Sequence, residues 1–212
     1  MQFPDAARDL AELGRRFHGR GWALGTSGNF SVVVSRDPLR LAISASSIAK
    51  GTMRDADVLE VDDRGVPSGP GAGAPSAETL LHVEIARRCS AGAVLHTHSV
   101  WATILSGLAA HSEGIAIEGF EMLKGLAGVR THEHREWIPV VDNDQDMTRL
   151  APVVGAVLER NPGVHAFLLR RHGMYTWGAT LAEAERHVEI LEFLLEATGR
   201  SMMLGSRDHG GG

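Results

Sequence analysis

The sequence predicts an α/β layered domain built on a central sheet that is mixed and largely antiparallel. Segments with the apolar period of an α-helix alternate along the chain with short β-branched or alternating runs. Several of these runs are joined by tight turns, which connect antiparallel strands but cannot make the crossover that parallel strands need. The 212 residues are enough to form one ordinary domain with a sizeable core.

The first third of the chain predicts one helix followed by a small meander of strands. Apolar residues recur at helical spacing in "PDAARDLAELGRRFHGRGW", where Pro4 can open the helix and Gly19 can close it. The runs "NFSVVVS" and "LRLAIS", joined by "RDP", predict an antiparallel hairpin, and "DVLEVDDRGV" predicts a further strand and turn. Too few apolar residues precede "VPSGPGAGAP" for a separate domain, so we expect a mobile surface loop there.

Helices and strands alternate through the rest of the chain. "SAETLLHVEIARRC" predicts a helix capped by Ser76, and it leads into a strand in "AVLHTHSV". A short helix near "WATILSGL", a strand in "GIAIEG", a helical turn in "FEMLKGLA" and a strand in "WIPVVDN" come next. The last third predicts a helix in "MTRLAPVVGAVLERNP" capped by Asn143 or Asp144, a strand pair in "HAFLLRRHGMYTW", and a closing helix in which Thr180 and Glu183 have capping-box spacing. We predict one domain over residues 1–204 and a disordered tail over 205–212.

Composition narrows the class of function. The net charge is -5, and no run of lysines or arginines is longer than a pair, so a nucleic-acid partner is not expected. No window approaches the apolar length of a membrane span, and "MQFPDAARDL" does not resemble a secretory signal. Cys89 is the single cysteine, which is typical of a reducing compartment. We therefore expect a cytoplasmic protein that acts on a small molecule.

Two histidines stand one residue apart at the end of the strand in "AVLHTHSV". Side chains alternate between the faces of a strand, so His96 and His98 are predicted to point to one side and Thr97 to the other. Such a pair is also compatible with one core and one surface histidine, but α/β sheets place ligands at the carboxyl ends of their strands. His172 follows another apolar strand and is a candidate third metal ligand, and we expect Gly173 to let the chain turn sharply there.

Three hydroxyl-rich segments stand at the ends of predicted elements: "LGTSGNFS", "SASSIAKG" and the start of the helix in "SAETLL". Each alone is compatible with an ordinary turn, but hydroxyls, glycine-permitted turns and a helix N-terminus together predict one phosphate pocket. "GTSGN" lacks the dinucleotide fingerprint and the P-loop lysine, and we expect Lys50 to be solvated. The candidate phosphate- and substrate-binding residues are Thr26, Ser27, Gly28, Asn29, Ser46, Ser47 and Ser76.

These motifs resemble the class II (zinc-dependent) aldolase-like sugar-phosphate enzymes. "GTSGNFS", "ISASSIAKG", "PSAET", "HTHS", "EGFEMLKGL", "VVDNDQD" and "RRHGMYTWG" occur in the order that this family uses, along nearly the whole chain. The resemblance implies a three-layer α/β/α domain and a sugar-phosphate substrate. It also implies one Zn²⁺ ion per subunit, held by His96, His98 and His172, and a homotetramer with active sites near subunit interfaces.

"EGFEMLKGL" followed by "RRHGMYTWG" is the more specific signal, and it is most similar to the dehydratase branch of that family. The resemblance implies dehydration of a methylthio-substituted ketose phosphate in methionine salvage, with Glu121 as the catalytic acid/base. Glu118, three residues earlier, competes for this assignment. Ala77 replaces a serine that the aldolases usually carry, whereas Glu78 keeps the position of the aldolase base, so Glu78 is the alternative base.

Two other functions stay open from the sequence. A zinc-dependent sugar-phosphate aldolase or epimerase would share the same metal site, so the histidines alone do not distinguish it from a dehydratase. A non-catalytic interaction module similar to the head region of adducin would be expected to lose the metal histidines, and all three are present here.

Overall fold

The computed structural model describes residues 1–109 and 112–205, which contain five α-helices and nine β-strands. The helices are α1 (Phe3–Gly19), α2 (Thr79–Arg88), α3 (Val100–Leu108), α4 (Met147–Arg160) and α5 (Leu181–Gly205). The strands are β1 (Asn29–Arg36), β2 (Leu39–Ser44), β3 (Val58–Val61), β4 (Pro67–Gly71), β5 (Ala93–Thr97), β6 (Gly114–Ile117), β7 (Glu136–Val141), β8 (Ala166–Leu169) and β9 (Gly173–Gly178). Short 3-10 helices cover Lys50–Thr52, Asp55–Asp57 and Glu121–Gly125.

The strands form one sheet in the order β4-β3-β2-β1-β5-β9-β8-β7-β6. Among the strands of residues 1–109 and 112–205, β7 and β8 are the one parallel pair, and every other neighbouring pair is antiparallel. β5 lies between β1 and β9, and His96 is opposite Asn29 on one side and Tyr175 on the other. The predicted mixed, largely antiparallel sheet is confirmed.

Helices cover both faces of the sheet. Leu95 of β5 packs in a core shared with α1, α3 and α5, whereas its neighbour Val94 packs in a second core with α2 and α4. Because successive side chains of a strand point to opposite faces, a buried strand such as β5 can serve both cores. This arrangement confirms the three-layer α/β/α domain.

An edge strand occupies part of the segment that we expected to be a loop. Pro67–Gly71 pairs antiparallel with β3 and is exposed along its length. An edge strand tolerates proline because one of its sides makes no ladder hydrogen bonds. Gly71 has φ 107° and lies against the backbone of Val58 and Leu59, where a Cβ atom would not fit. The loop prediction for "VPSGPGAGAP" was therefore wrong for these residues.

The helix caps agree with the sequence in one case and differ in two. Glu183 N donates to Thr180 Oγ1 at 3.1 Å, which is one of the two bonds of the predicted capping box at α5. Glu183 Oε2 accepts from Ala179 N at 2.7 Å instead of from Thr180 N. Ser76 lies three residues before α2 and accepts from Glu78 N at 3.3 Å instead of capping the helix. Asp146 caps α4 in place of Asn143 or Asp144.

α5 is the longest helix and runs to Gly205, one residue into the segment expected to be a disordered tail. The rest of that segment, 206–212, lies outside the described residues, and the assignment of one domain over 1–204 stays a prediction. None of the described helices, α5 included, has a stretch long and apolar enough to cross a bilayer.

A buried acid joins α5 to the central strand. Glu192 is 3% exposed and accepts a hydrogen bond from Thr97 Oγ1 at 2.8 Å. Burial raises the pKa of Glu192 to about 7, although hydrogen bonds from Ser99 and Thr97 oppose the rise. Below neutral pH the folded chain therefore holds this carboxyl protonated.

Adjacent valines of α4 test the assignment of the second core. Val154→Ala should lower the free energy of unfolding by about 1.5–3 kcal/mol, because two buried methyl groups are lost from a packed site. Val153, its neighbour, is 50% exposed, so Val153→Ala should change it by less than about 0.5 kcal/mol. Urea denaturation of both variants makes the comparison, and equal losses would contradict the packing described for α4.

The stability of the Glu192→Gln variant, measured relative to that of the parent, should increase as pH rises. Between the usual carboxyl pKa of 4.5 and the folded value of about 7, the unfolded parent releases a proton that the folded parent retains, so the parent loses stability. Glutamine has no such proton. From pH 5 to pH 8 the relative gain should be on the order of 2 kcal/mol by denaturation. Glu189→Gln, an exposed change on the same helix, should show no such trend.

Candidate active site

Three imidazole rings and one carboxylate meet beyond the carboxyl end of β5. His98 Nε2 lies 2.8 Å from His96 Nε2 and 3.1 Å from His172 Nε2. Glu78 Oε1 lies 3.2 Å from His172 Nε2 and 3.5 Å from His96 Nε2. One ligand atom from each of these four residues lies within 4.8 Å of all the others. The structure thus brings together the three predicted metal ligands and adds Glu78, which we had considered only as a base.

The local backbone explains how distant segments reach this point. His96 and His98 share the α2–α4 side of β5, while Thr97 bonds Glu192 of α5 on the opposite side, as the alternation predicts. His172 ends a tight turn between β8 and β9, in which His172 N donates to Leu169 O at 3.0 Å.

Gly173 allows β9 to approach β5 closely, and it is not the residue that makes the turn. The positive φ of this connection, 54°, falls on Arg171 and not on Gly173 as we expected. A Cβ atom on Gly173 would collide with the carbonyl oxygen of Thr97 and would lie 3.0 Å from His96 Cε1. The absence of a side chain therefore lets β9 lie directly against the strand that carries the histidine pair.

Hydrogen bonds orient the rings. His96 Nδ1 lies 2.9 Å from Met174 O, and a carbonyl only accepts, so Nδ1 carries the proton and Nε2 presents its lone pair to the cluster. The Tyr175 ring stacks on His96 with centroids 3.9 Å apart. Asn143 Oδ1 lies 3.4 Å from His172 Nδ1. Our sequence reasoning missed these partners, although "VVDNDQD" and "MYTWG" were both among the family motifs.

The electrostatics of the cluster suit a bound cation. Burial and the neighbouring His96 and His172 rings lower the pKa of His98 to about 3, so its imidazole is neutral. Burial would raise the pKa of Glu78, but His172 and His96 lower it well below its ordinary range, so the carboxylate is ionised. Neutral imidazole nitrogens and a carboxylate are the donors that a divalent transition metal prefers. The four groups therefore form a candidate metal site.

A cavity of about 260 Å³ adjoins the cluster. Its wall contains all seven residues that we predicted for phosphate binding, together with Lys50, Glu78 and His98. Lys50 is 1% exposed, and our expectation of a solvated lysine was wrong. Burial lowers the pKa of Lys50 to about 8, while the charge of Glu78 opposes this shift. The ammonium donates to Ile48 O at 2.9 Å.

The turn at Gly28, which lines this cavity, lies in close backbone contact with β5. Gly28 has φ 73°, and a Cβ atom there would lie 2.7 Å from the carbonyl oxygen of His96. Ser47 also has a positive φ, 62°. Both turns contribute residues to the wall of this cavity, and the turn of Gly28 brings that wall against β5.

Asn29 lies in the cavity wall, but its side chain is engaged with neighbours. Asn29 Nδ2 donates to Glu78 Oε2 at 2.5 Å, and Asn29 Oδ1 lies 2.5 Å from His82 Nε2. His82 Nδ1 in turn lies 2.7 Å from Ser31 Oγ. The chain of contacts from Ser31 through His82 and Asn29 therefore fixes the direction of the Glu78 carboxylate.

Glu121 lies apart from this cluster within the single chain. It begins the 3-10 helix Glu121–Gly125, its side chain is 69% exposed, and its carboxylate pairs with Lys124 and, at 3.8 Å, with His132. Glu118 is equally exposed and pairs with Arg135 at 3.6 Å. In the part of the chain that the structure describes, neither glutamate is among the residues of the metal cluster. The structure places Glu78, and not Glu121, beside the three histidines.

Known proteins resemble this chain over nearly its whole length. It is 46% identical over 200 residues to a protein from Methylococcus capsulatus named methylthioribulose-1-phosphate dehydratase, with 94% of this chain and 95% of the relative covered. A protein of the same name from Pseudomonas syringae pv. tomato is 44% identical, with 92% and 95% covered.

Solved structures of similar shape include an L-fuculose-1-phosphate aldolase from Thermus thermophilus, with a TM-score of 0.72 and 25% identity over 96% of this chain and 97% of that chain. A protein titled L-fuculose 1-phosphate aldolase has a TM-score of 0.78 at 24% identity, covering 95% of this chain and 88% of that chain, which shows the shared fold. The model of the class II aldolase and adducin N-terminal domain family matches residues 8–198. By sequence, by fold and by the residues that meet at the end of β5, this chain belongs to the class II aldolase and adducin N-terminal domain family.

Proposed function

We propose that this chain removes water from 5-methylthioribulose 1-phosphate in methionine salvage, giving 2,3-diketo-5-methylthiopentyl 1-phosphate. The observation that carries the proposal is the contact between the His96–His98–His172–Glu78 cluster and the hydroxyl-lined cavity. Such an arrangement suits a substrate with a phosphate at one end and a carbonyl beside it. Relatives 42–46% identical to this chain, which carry the dehydratase name, support the same reaction.

One Zn²⁺ ion per subunit is the cofactor that we propose. His96, His98 and His172 would hold it through their Nε2 atoms, and Glu78 Oε1 lies close enough to share or replace a ligand. Three imidazoles with a further position for water or substrate are a common donor set for catalytic zinc. When bound, the ion would supply a Lewis acid that polarises the substrate carbonyl and acidifies the adjacent C–H bond.

The phosphate would occupy the cavity of Thr26–Asn29, Ser46, Ser47 and Ser76, with the Lys50 ammonium adding positive charge. A second cavity of about 460 Å³ is lined by His172 and shares Ser46, Ser76 and Glu78 with the first. Met147 and Arg171 line it as well. Since residues of the cluster line both cavities, a substrate held at its phosphate end could extend its carbon chain along the metal ligands.

The reaction needs a group that removes the proton on carbon 3 and protonates the departing hydroxyl on carbon 4. The resulting enol then tautomerises to the 2,3-diketone. We assign this proton transfer to Glu121. The Lys124 hydrogen bond and charge lower the pKa of Glu121, so its carboxylate is ionised and can act as a base. Because Glu121 is exposed and separate from the cluster of its own chain, we propose that it serves the site of an adjacent subunit.

Glu78 is the alternative base. Its position beside His96 and His172 favours a second candidate function, retro-aldol cleavage between carbons 3 and 4, as the names of the fuculose phosphate aldolase neighbours suggest. Ala77, which replaces the serine usual in aldolases, argues for the dehydratase.

A homotetramer is the assembly that we propose. Val100, Ile104 and Leu108 form an exposed apolar stripe along α3, which begins two residues after His98. Stripes of this kind on one helix face favour protein–protein contact. Contact along α3 would place an interface next to the metal cluster, where a neighbouring Glu121 would be needed. The single cysteine supports a reducing, cytoplasmic setting.

His172→Ala should abolish metal binding together with turnover, because one of three imidazole ligands is lost. Metal analysis of the purified proteins should give about one zinc per chain for the parent and much less for the variant. His132→Ala, an exposed change, is the matched control and should keep its zinc. Stoichiometric zinc in His172→Ala would refute the ligand assignment.

Product identification by NMR separates the candidate reactions. Zinc-loaded protein should convert 5-methylthioribulose 1-phosphate to the 2,3-diketone, and a chelated sample should not. A cleaved aldehyde would instead identify an aldolase.

Glu121→Gln should keep its zinc and lose about 10²–10⁴-fold in kcat. Glu118→Gln is equally exposed and should keep kcat. An active Glu121→Gln beside an inactive Glu78→Gln that still holds zinc would move the base to Glu78.

A further inference from the structure

A second pair of histidines, the half-buried His165 and the buried His187, lies away from the metal cluster, where β7, β9 and α5 meet. His165 Nδ1 lies 3.0 Å from Glu136 Oε1, and its Nε2 lies 2.9 Å from Ala127 O. His187 Nε2 accepts from Ala127 N at 3.1 Å, and its Nδ1 lies 2.7 Å from Trp177 O. Both polar atoms of Ala127 are therefore held by histidine rings.

The contacts of His165 define its protonation state. Each of its ring nitrogens faces an oxygen that accepts, the Glu136 carboxylate on one side and the Ala127 carbonyl on the other. Only the doubly protonated imidazolium can donate to both. Burial lowers the pKa of His165, but the hydrogen bond and charge of Glu136, with the Ala127 carbonyl and the charge of Glu183, raise it overall. Glu136 is 2% exposed and supplies the buried counter-charge.

His187 is in the opposite state. It accepts from Ala127 N at Nε2, so that nitrogen bears no proton, and its Nδ1 donates to Trp177 O. Burial is the largest cause that lowers the pKa of His187, and the nearby His165 adds to it. The two rings lie 5.2 Å apart, centroid to centroid. The charged ring of His165 thus bonds the carbonyl of Ala127, and the neutral ring of His187 bonds its N–H group.

Ala127 follows the Glu121–Gly125 turn by two residues. Leu123 and Leu126 are buried, and Gly125 fits against Ile190 of α5 where a Cβ atom would collide. Glu121 and Lys124 are exposed on the other side of the same turn. The turn is therefore anchored from inside by its leucines and at its end by Ala127, and it presents Glu121 outward.

We propose that His165 and His187 are positioning residues, which clamp Ala127 and so hold the Glu121–Gly125 turn where Glu121 can transfer protons. This inference rests on the proposed function for the role of Glu121, but the clamp itself does not. Misplacement of a catalytic group by about 1 Å can cost on the order of 100-fold in rate, so a fixed turn matters.

The clamp is sensitive to a rise in pH. The groups facing His165 are Glu136 of β7 and His187 and Glu183 of α5, and His134 shares Glu136 at 2.8 Å. The folded pKa of His165 lies above the ordinary 6.5, so the clamp is complete below that value and weakens as pH rises through the folded pKa. Loss of the proton leaves one ring nitrogen facing an oxygen with nothing to donate.

Two measurements on the holoenzyme test the clamp directly. Deuterium exchange at the C2 atom of each histidine, read by mass spectrometry, should give His165 a higher pKa than His187. Backbone amide exchange in a peptide spanning residues 120–128 should be faster in His165→Gln than in the parent. His134→Gln is the matched control, because His134 also bonds Glu136 yet none of its contacts among the described residues reaches Ala127. It should leave this peptide protected.

Kinetics test the positioning role. His165→Gln should lower kcat by on the order of 10- to 100-fold with little change in KM. The kcat of the parent should fall as pH rises through the folded pKa of His165, and this fall should be absent in His165→Gln. His134→Gln should keep the parent kcat. His187→Gln, which keeps an acceptor for Ala127 N, should retain more activity than His187→Leu.

Equal amide exchange in His165→Gln and the parent, or a C2 pKa of His165 below 6.5, would overturn the clamp. Faster exchange with unchanged kcat would overturn the positioning role while leaving the dehydratase intact. A parent that forms no diketone would refute the proposed function, and the exchange measurements would still decide the clamp.

Discussion

The approach of three imidazole nitrogens at the end of β5 is the constraint on which the site depends. His98 Nε2 lies 2.8 Å from His96 Nε2 and 3.1 Å from His172 Nε2, so the three nitrogens are close enough together to bind one metal ion. The neighbouring structure serves this convergence. Met174 fixes the tautomer of His96, Tyr175 stacks on its ring, and Gly173 removes the side chain that would separate β9 from β5.

The same strand end also adjoins the cavity that we propose for the substrate. Gly28 brings its turn against the carbonyl of His96, so residues of that turn line one cavity together with Glu78 and His98 of the cluster. Glu78 connects the two, because it contacts the histidines through one oxygen and Asn29 through the other. In the proposed reaction, groups from three different segments would bind the phosphate and the carbonyl of one small substrate.

Histidines have two different protonation states in this fold, and burial and hydrogen bonding determine which state each one adopts. At the cluster, burial and neighbouring rings keep His98 neutral, which suits a ligand. Behind the turn of Glu121, a buried carboxylate keeps His165 charged, which suits a donor to two oxygens. The residue type alone does not distinguish these roles, since each depends on what faces the two ring nitrogens.

Local patterns in the sequence determined the kind of fold and the three histidines of the candidate metal site. The period-two alternation of "AVLHTHSV" placed His96 and His98 on one face, and hydroxyl-rich element ends indicated seven of the residues that line the cavity. Only the tertiary structure decided that Glu78 joins the histidines, that Lys50 is buried, that Pro67–Gly71 forms an edge strand, and that Glu121 lies apart. The physical reason is that periodicity is a local property of the sequence, which predicts the direction of a side chain from its own strand or helix. The partners of that side chain depend on sheet order and on packing between segments that lie far apart in the chain.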